Sequence, residues 1–252
     1  MPETKRVALF CSDLDGTLLG LPEASADFRR IWDSLGDDRP VLVYSTGRLV
    51  EDAMRVIRAG GLPEPDYYIG GVGTVIHDPG AGGVIPDYAE ALSEDWDLAK
   101  AIEVVRSFSG IEEQPAEQQN ECKSSWFWHD ASPADLDRLR AALDEAGVTA
   151  QVIYSSARDL DVLPRRANKG NALRWICGKL GVPLDEAVVA GDTGNDSSMF
   201  QVEGVRGIVP ANAEPELIEA VRDLDAFRAR GECAAGIIEG LIHHGVFPQH
   251  RS

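Results

Sequence analysis

Val7-Ala8-Leu9-Phe10-Cys11-Ser12-Asp13-Leu14-Asp15-Gly16-Thr17 runs from an unbroken apolar stretch straight into two carboxylates and a glycine. A short apolar run that stops at polar and glycine residues reads as a buried strand ending at a turn. Outward from it, residues 41–44 repeat the pattern and end in Ser45-Thr46-Gly47-Arg48, after which Val50, Ala53, Met54 and Ile57 recur at helical spacing. A third run, residues 187–190, ends in Gly191-Asp192-Thr193-Gly194-Asn195-Asp196 and follows an amphipathic stretch over residues 172–180. Strands alternating with helices, each strand closing on small and acidic residues, predict an α/β fold: a Rossmann-like parallel sheet core with helices on both faces. In such sheets ligands gather beyond the carboxyl ends of the strands.

Between the second and third runs the texture changes. Pro79-Gly80-Ala81-Gly82-Gly83 reads as a flexible connection. The stretch from 86 to 164 reads as helix (94–108), strand (124–129), helix (133–146) and strand (150–154), with residues 160–163 as a further strand. The expected organisation is therefore a core from residues 1–85 and 165–252 carrying an inserted α+β domain at 86–164. Neither internal repeats nor low-complexity tracts interrupt it.

A chain of 252 residues with 44% hydrophobic composition buries a substantial core. Its formal charge of −18 and pI near 4.6 argue against a partner with a nucleic-acid backbone or an anionic membrane, since those demand a basic surface. Acidity also simply keeps a soluble protein apart from its neighbours. Cys11, Cys122, Cys177 and Cys233 lie far apart without a CxxC pair, as expected of reduced thiols and not of a zinc site or disulfide framework. The apolar stretch at 7–11 is shorter than a signal-peptide core, and nothing approaches the roughly 20 apolar residues of a membrane helix. A cytoplasmic enzyme with a small-molecule substrate is the expected class; no feature of the sequence specifies an oligomeric state.

The chemistry-bearing residues sit at the element ends. Asp13 and Asp15 flank one leucine at a strand terminus, where the sheet aims the first carboxylate and the turn lets the second swing toward the same pocket. One could attack phosphorus while the other handles the leaving-group proton; the bland alternative is that Asp-x-Asp-Gly is only a turn. Thr46 and Gly47 offer a hydroxyl and an unhindered N–H to phosphate oxygens, or merely cap the helix that follows. Lys169, opening a helix just past the insertion, could offset negative charge at the strand ends, although a lone lysine is more often a solvated surface group. The loop Asp192–Asp196 supplies the hard oxygen donors that Mg²⁺ takes, or a turn with Asp196 capping the next helix; the ligand spacing of an EF-hand is missing.

Together, Asp13-Leu14-Asp15-Gly16-Thr17, Ser45-Thr46-Gly47-Arg48, Lys169-Gly170 and Gly191-Asp192-x-x-Asn195-Asp196 resemble the four motifs of haloacid dehalogenase-type phosphatases, and the insertion resembles the cap of their Cof-like branch. Ile69–Thr74, Tyr154–Pro164, the Gly191–Asp196 loop and the tail Ala235-Gly236-Ile237-Ile238-Glu239-Gly240-Leu241 are similar to the sucrose-phosphatase group, with Gly71 where a serine is expected. The resemblance implies a sugar phosphate substrate, a disaccharide phosphate such as sucrose 6-phosphate or mannosylfructose phosphate. It implies Asp13 as nucleophile, Asp15 as acid then base, and Mg²⁺ held by Asp13, the backbone carbonyl of Asp15 and Asp192, with Asp196 binding directly or through water. Thr46, Gly47, Lys169 and Asn195 would contact the phosphoryl group or substrate. Sugar recognition would fall to the insertion, with Arg158, Asp159 and Asp161 as candidates. Trp126, Trp128 and His129 are further candidates, although alternating tryptophans on a strand more often pack a core. A receiver domain, which also phosphorylates a strand-end aspartate, is about half this length. A phosphomutase or phosphotransferase sharing the aspartyl phosphate stays open.

Overall fold

The computed structural model describes residues 6–155 and 157–248. Its contacts divide the chain into two units, residues 1–84 with 168–252 and residues 85–167.

The larger unit begins β1 (Leu9–Ser12), α1 (Pro22–Asp33), β2 (Val41–Ser45), α2 (Val50–Ala59), β3 (Tyr67–Gly70), β4 (Val75–Asp78) and β5 (Gly83–Val84). The smaller unit follows with α3 (Pro86–Ser93), α4 (Leu98–Arg106), β6 (Ile111–Glu113), β7 (Ser124–Trp128), α5 (Pro133–Glu145), β8 (Ala150–Ser155) and β9 (Asp159–Pro164). The chain then returns through α6 (Lys169–Leu180), β10 (Ala187–Ala190), α7 (Ser197–Phe200), β11 (Arg206–Val209), α8 (Pro215–Ala220), β12 (Ala226–Arg228) and α9 (Cys233–His243).

In the larger unit one sheet has the order β12-β11-β10-β1-β2-β3-β4-β5. The strands from β12 to β3 pair in parallel and the last two antiparallel. Because side chains alternate along a strand, Phe10 and Cys11 point to opposite faces. Phe10 packs with Phe28 and Trp32 of α1 in an aromatic group that Phe247 joins, while Cys11 lies against Met199 of α7. Helices therefore cover both faces, which is why β1 reads as a continuous apolar run.

In the smaller unit a four-stranded antiparallel sheet has the order β6-β7-β9-β8. Trp126, Trp128, Leu160 and Val162 bury one face against Ala101 and Val105 of α4 and Leu139 and Leu143 of α5. The tryptophans are core residues, and His129 is exposed beyond the strand end.

Three expectations change. The helix expected over 94–108 is present but shorter, as α4 (Leu98–Arg106), because the Asp97 carboxylate accepts the Lys100 N–H at 2.9 Å and caps the helix there. Pro86, at the first turn of α3, opens a helix that the periodicity of its short sequence did not disclose. Residues 79–82 form a hairpin turn between β4 and β5, tied by Asp78 accepting the Ala81 N–H at 2.9 Å, and Gly83 opens β5, so the stretch is not a loose connection. No helix among the described residues is long and apolar enough to cross a membrane.

Candidate active site

The parallel register brings the functional loops level. Ser12 of β1 pairs with Ala190 of β10 on one side and Tyr44 of β2 on the other, so the three strands end together. The Asp13 N–H extends the ladder by one rung to Ala190 O at 3.0 Å, fixing the backbone from which its carboxylate projects. Gly16 then turns the chain at φ 78°, and a Cβ there would meet Asp192 Oδ2 at 2.1 Å. Glycine is what lets the two acidic loops touch. Thr17 closes the contact by donating its hydroxyl to Asp192 Oδ1 at 2.7 Å.

Asp13, Asp192 and Asp196 each present a carboxylate oxygen, all within 4.8 Å of one another, and all three residues are buried. Lys169, fully buried at the start of α6, donates to Asp13 Oδ1 at 2.6 Å and Asp196 Oδ1 at 2.5 Å. Asn168 caps that helix by accepting the Asn171 N–H at 2.8 Å, which sets the lysine's direction. Asp196 spends its other oxygen on the N–H groups of Asp192 and Thr193 at 3.1 and 3.0 Å.

Burial pushes the Asp13 carboxyl up to about 7 against the opposing pull of Lys169. It pushes Asp192 up to about 6 against the Thr17 hydrogen bond, with Asp196 adding to the rise. Burial alone would lower Lys169, but the carboxylates of Asp13 and Asp196 overcome it and hold the ammonium charged. Were all three carboxylates ionised, one ammonium would leave two negative charges in a water-poor site, and burying unbalanced charge is costly. A divalent cation with oxygen preference neutralises that excess, and the donor set is of the hard kind such a cation takes.

The remaining motif residues are placed differently. Asp15 lies outside the carboxylate cluster, half-exposed, and accepts a two-pronged pair from Arg48 at 2.6 and 2.8 Å. Arg48 also pairs with Asp52 of α2. Thr46 is buried at the end of β2, accepting the Arg48 N–H at 3.1 Å; Gly47 beside it is exposed. Asn195 is exposed and accepts the Thr193 hydroxyl at 3.1 Å, the same hydroxyl that lies 3.3 Å from Asp196 Oδ2.

The model of the sucrose-6F-phosphate phosphohydrolase family matches residues 6–245. The chain belongs to that family. Its fold is the haloacid dehalogenase fold. The chain is 44% identical to a mannosylfructose-phosphate phosphatase of Agrobacterium fabrum, over 97% of this chain and 100% of that one. It is 30% identical to sucrose-phosphatase 2 of Nicotiana tabacum, over 95% of this chain but only 60% of the longer plant protein. Among solved structures, the sucrose-phosphatase of Synechocystis sp. in complex with sucrose and phosphate superposes with a TM-score of 0.82 at 34% identity, covering 97% of this chain and 100% of that one.

Within this family member the inserted unit carries its own polar constellation. On the sheet face opposite the tryptophans, Asp161 accepts the Ser125 hydroxyl at 2.7 Å and pairs with Lys123 at 3.3 Å. Asp159 accepts from Gln114 at 3.2 Å and from Arg158 at 3.1 and 3.2 Å, and Arg158 lies over the Phe127 ring at 5.2 Å. Lys123, Asp161, Gln114, Asp159, Arg158 and Phe127 line one concavity. Lys123 escaped the sequence reading, yet it is buried. The available signal was its even spacing from Ser125 and Phe127, which places all three on the polar face of the strand. Thr17 escaped assignment as well, because nothing in a turn sequence says which distant carboxylate its hydroxyl meets.

Proposed function

We propose that the protein is a Mg²⁺-dependent phosphatase that removes phosphate from a disaccharide phosphate through an aspartyl-phosphate intermediate on Asp13. The observation that carries this reading is the buried Asp13–Lys169–Asp192–Asp196 cluster, built from the ends of β1 and β10 and the start of α6. Mannosylfructose phosphate is the first candidate substrate, because a phosphatase named for it is 44% identical along its entire length. Sucrose 6-phosphate is the second, from the family description and the sugar in the Synechocystis complex.

Asp13, Asp192 and the Asp15 backbone carbonyl would hold the cation, with Asp196 binding it directly or through water. When bound, Mg²⁺ supplies positive charge that lets an anionic nucleophile approach an anionic phosphate. Asp13 attacks phosphorus as the ester bond to the sugar oxygen breaks. Asp15 donates the proton that oxygen needs, then takes one from the water that releases phosphate. That requires Arg48 to give up at least one prong of its hold on Asp15. Lys169, the Thr46 hydroxyl and the Gly47 N–H donate to the phosphoryl oxygens, where charge gathers in the transition state. We assign sugar recognition to the inserted unit as the cap, through Arg158, Asp159, Asp161 and Lys123, and catalysis to the larger unit.

The test is Mg²⁺-dependent release of inorganic phosphate from mannosylfructose phosphate, sucrose 6-phosphate, simple hexose phosphates and an aryl phosphate. Preference for a disaccharide phosphate supports the reading. Phosphate passed to an acceptor sugar with none released refutes the hydrolase in favour of a phosphotransferase.

A further inference from the structure

The tail Ala235–Leu241, similar to the sucrose-phosphatase group, takes no part in the chemistry above, yet its contacts lead back to it. The Glu239 carboxylate accepts the N–H groups of Arg230 and Gly231 at 2.9 and 3.0 Å. Gly236 lies so close beneath that a Cβ would meet Gly231 O at 2.3 Å. Braced in this way, Gly231 O accepts the Ala211 N–H at 2.9 Å. Cys233, the first residue of α9, is held at φ 48°, a left-handed backbone unusual for any residue with a side chain, and donates its N–H to Asn212 Oδ1 at 2.7 Å.

Asn212 spends its other end on the catalytic loop, where Nδ2 donates to Gly16 O at 2.8 Å. The amide orientation is forced, because a backbone N–H can only donate and a carbonyl can only accept. Two residues on, the Glu214 N–H donates to Asp192 O at 2.7 Å. One short loop, 210–214, thus grips both acidic loops: the first beside Asp15 through Asn212, the second at Asp192 through Glu214. Gly16 joins Asp15 to Thr17, whose hydroxyl bonds Asp192 Oδ1. Its carbonyl belongs to the Gly16–Thr17 peptide, whose N–H donates to Leu14 O at 3.3 Å, so Asn212 Nδ2 holds the opposite end of that peptide.

We propose that Asn212 is a positioning residue that fixes the Gly16 peptide, and through it the Asp15 and Thr17–Asp192 geometry, and that α9 braces this clip. The proposal rests on the phosphatase reading for its kinetic arm only. Groups that orient metal ligands typically change metal affinity or activity about 10- to 100-fold when removed.

Two variants test it in the full chain. Asn212→Asp keeps an oxygen for Cys233 but faces Gly16 O with a second acceptor; Asn212→Ala removes both bonds. Thermal unfolding, Mg²⁺ affinity by titration calorimetry, and kcat and KM on a disaccharide phosphate and an aryl phosphate are measured for each. The expected result for Asn212→Asp is at least 10-fold weaker Mg²⁺ binding and at least 10-fold lower kcat on both substrates, with KM within twofold and a Tm near wild type. Wild-type kcat and Mg²⁺ affinity in a folded variant overturn the proposal, as does a lowered Tm with nothing else moved. Failure of both variants to fold also overturns it, since a positioning role leaves the fold intact. If wild type cleaves neither ester, the functional reading falls instead, and the calorimetric comparison still decides the role of Asn212.

Discussion

Lys169→Met removes the only cation in the cluster while keeping the length and apolar body of the side chain. In wild type the ammonium lies 2.6 Å from Asp13 and 2.5 Å from Asp196 with no exposure to water. Removing one partner of a buried pair leaves uncompensated charge and costs about 3–5 kcal/mol. That figure applies at pH 8 in chelator, where the carboxylates are ionised. Burial raises Asp13 to about 7 and Asp192 to about 6 from an ordinary 3.8, so their contribution to stability is complete below about pH 4 and is lost as pH rises through 6 to 7. At pH 5 both are largely protonated in the folded protein. The loss on substitution should then be smaller than at pH 8, because the Asp13 carboxyl facing the ammonium has become neutral. Urea unfolding of wild type and variant at pH 5 and pH 8, in chelator and in saturating Mg²⁺, measures each quantity. Equal losses at the two pH values, or a loss under about 1 kcal/mol at pH 8, would refute the charge-balance account of the cluster.

Asp13→Asn should abolish turnover while leaving a folded protein; substantial activity in pure variant would reject Asp13 as nucleophile. The rise in Tm on adding Mg²⁺ should grow from pH 5 to pH 8, because the cation needs Asp13 and Asp192 deprotonated; a rise independent of pH counts against those ligands. Gly16→Ala should weaken Mg²⁺ binding more than it lowers Tm, since its Cβ would displace the Asp192 carboxylate 2.1 Å away; calorimetry showing unchanged affinity would contradict this. Asp161→Asn should lower kcat/KM for the preferred disaccharide phosphate about 10-fold, roughly 1.4 kcal/mol, while sparing an aryl phosphate. Equal losses on the two substrates would remove Asp161 from sugar recognition.

The strand-and-helix alternation around Asp13 was legible because a central parallel strand must be apolar on both faces and must end where its backbone turns out of the sheet. That local requirement marks Leu9–Ser12, Val41–Ser45 and Ala187–Ala190 whatever lies between them. Weaker elements escaped for the complementary reason. The two-residue β5 exists only as the short return of a hairpin with β4, α3 spans only eight residues, and the break before α4 depends on one side chain, Asp97, choosing a backbone N–H.

The chain's linear order determined which residues could carry phosphoryl chemistry: carboxylates, a lysine and a hydroxyl, each at the end of an element. Tertiary structure alone decided which of them meet. Asp13 and Asp196 share one ammonium because β1 and β10 are neighbours in register, while Asp15, two residues from Asp13, turns away to Arg48. Lys123, Thr17 and Asn212 acquire their roles only from partners tens to hundreds of positions away, Asp161, Asp192 and Gly16. Hydrogen bonds act over about 3 Å in space, and spacing along a chain carries no record of which distant groups the fold will bring within that range.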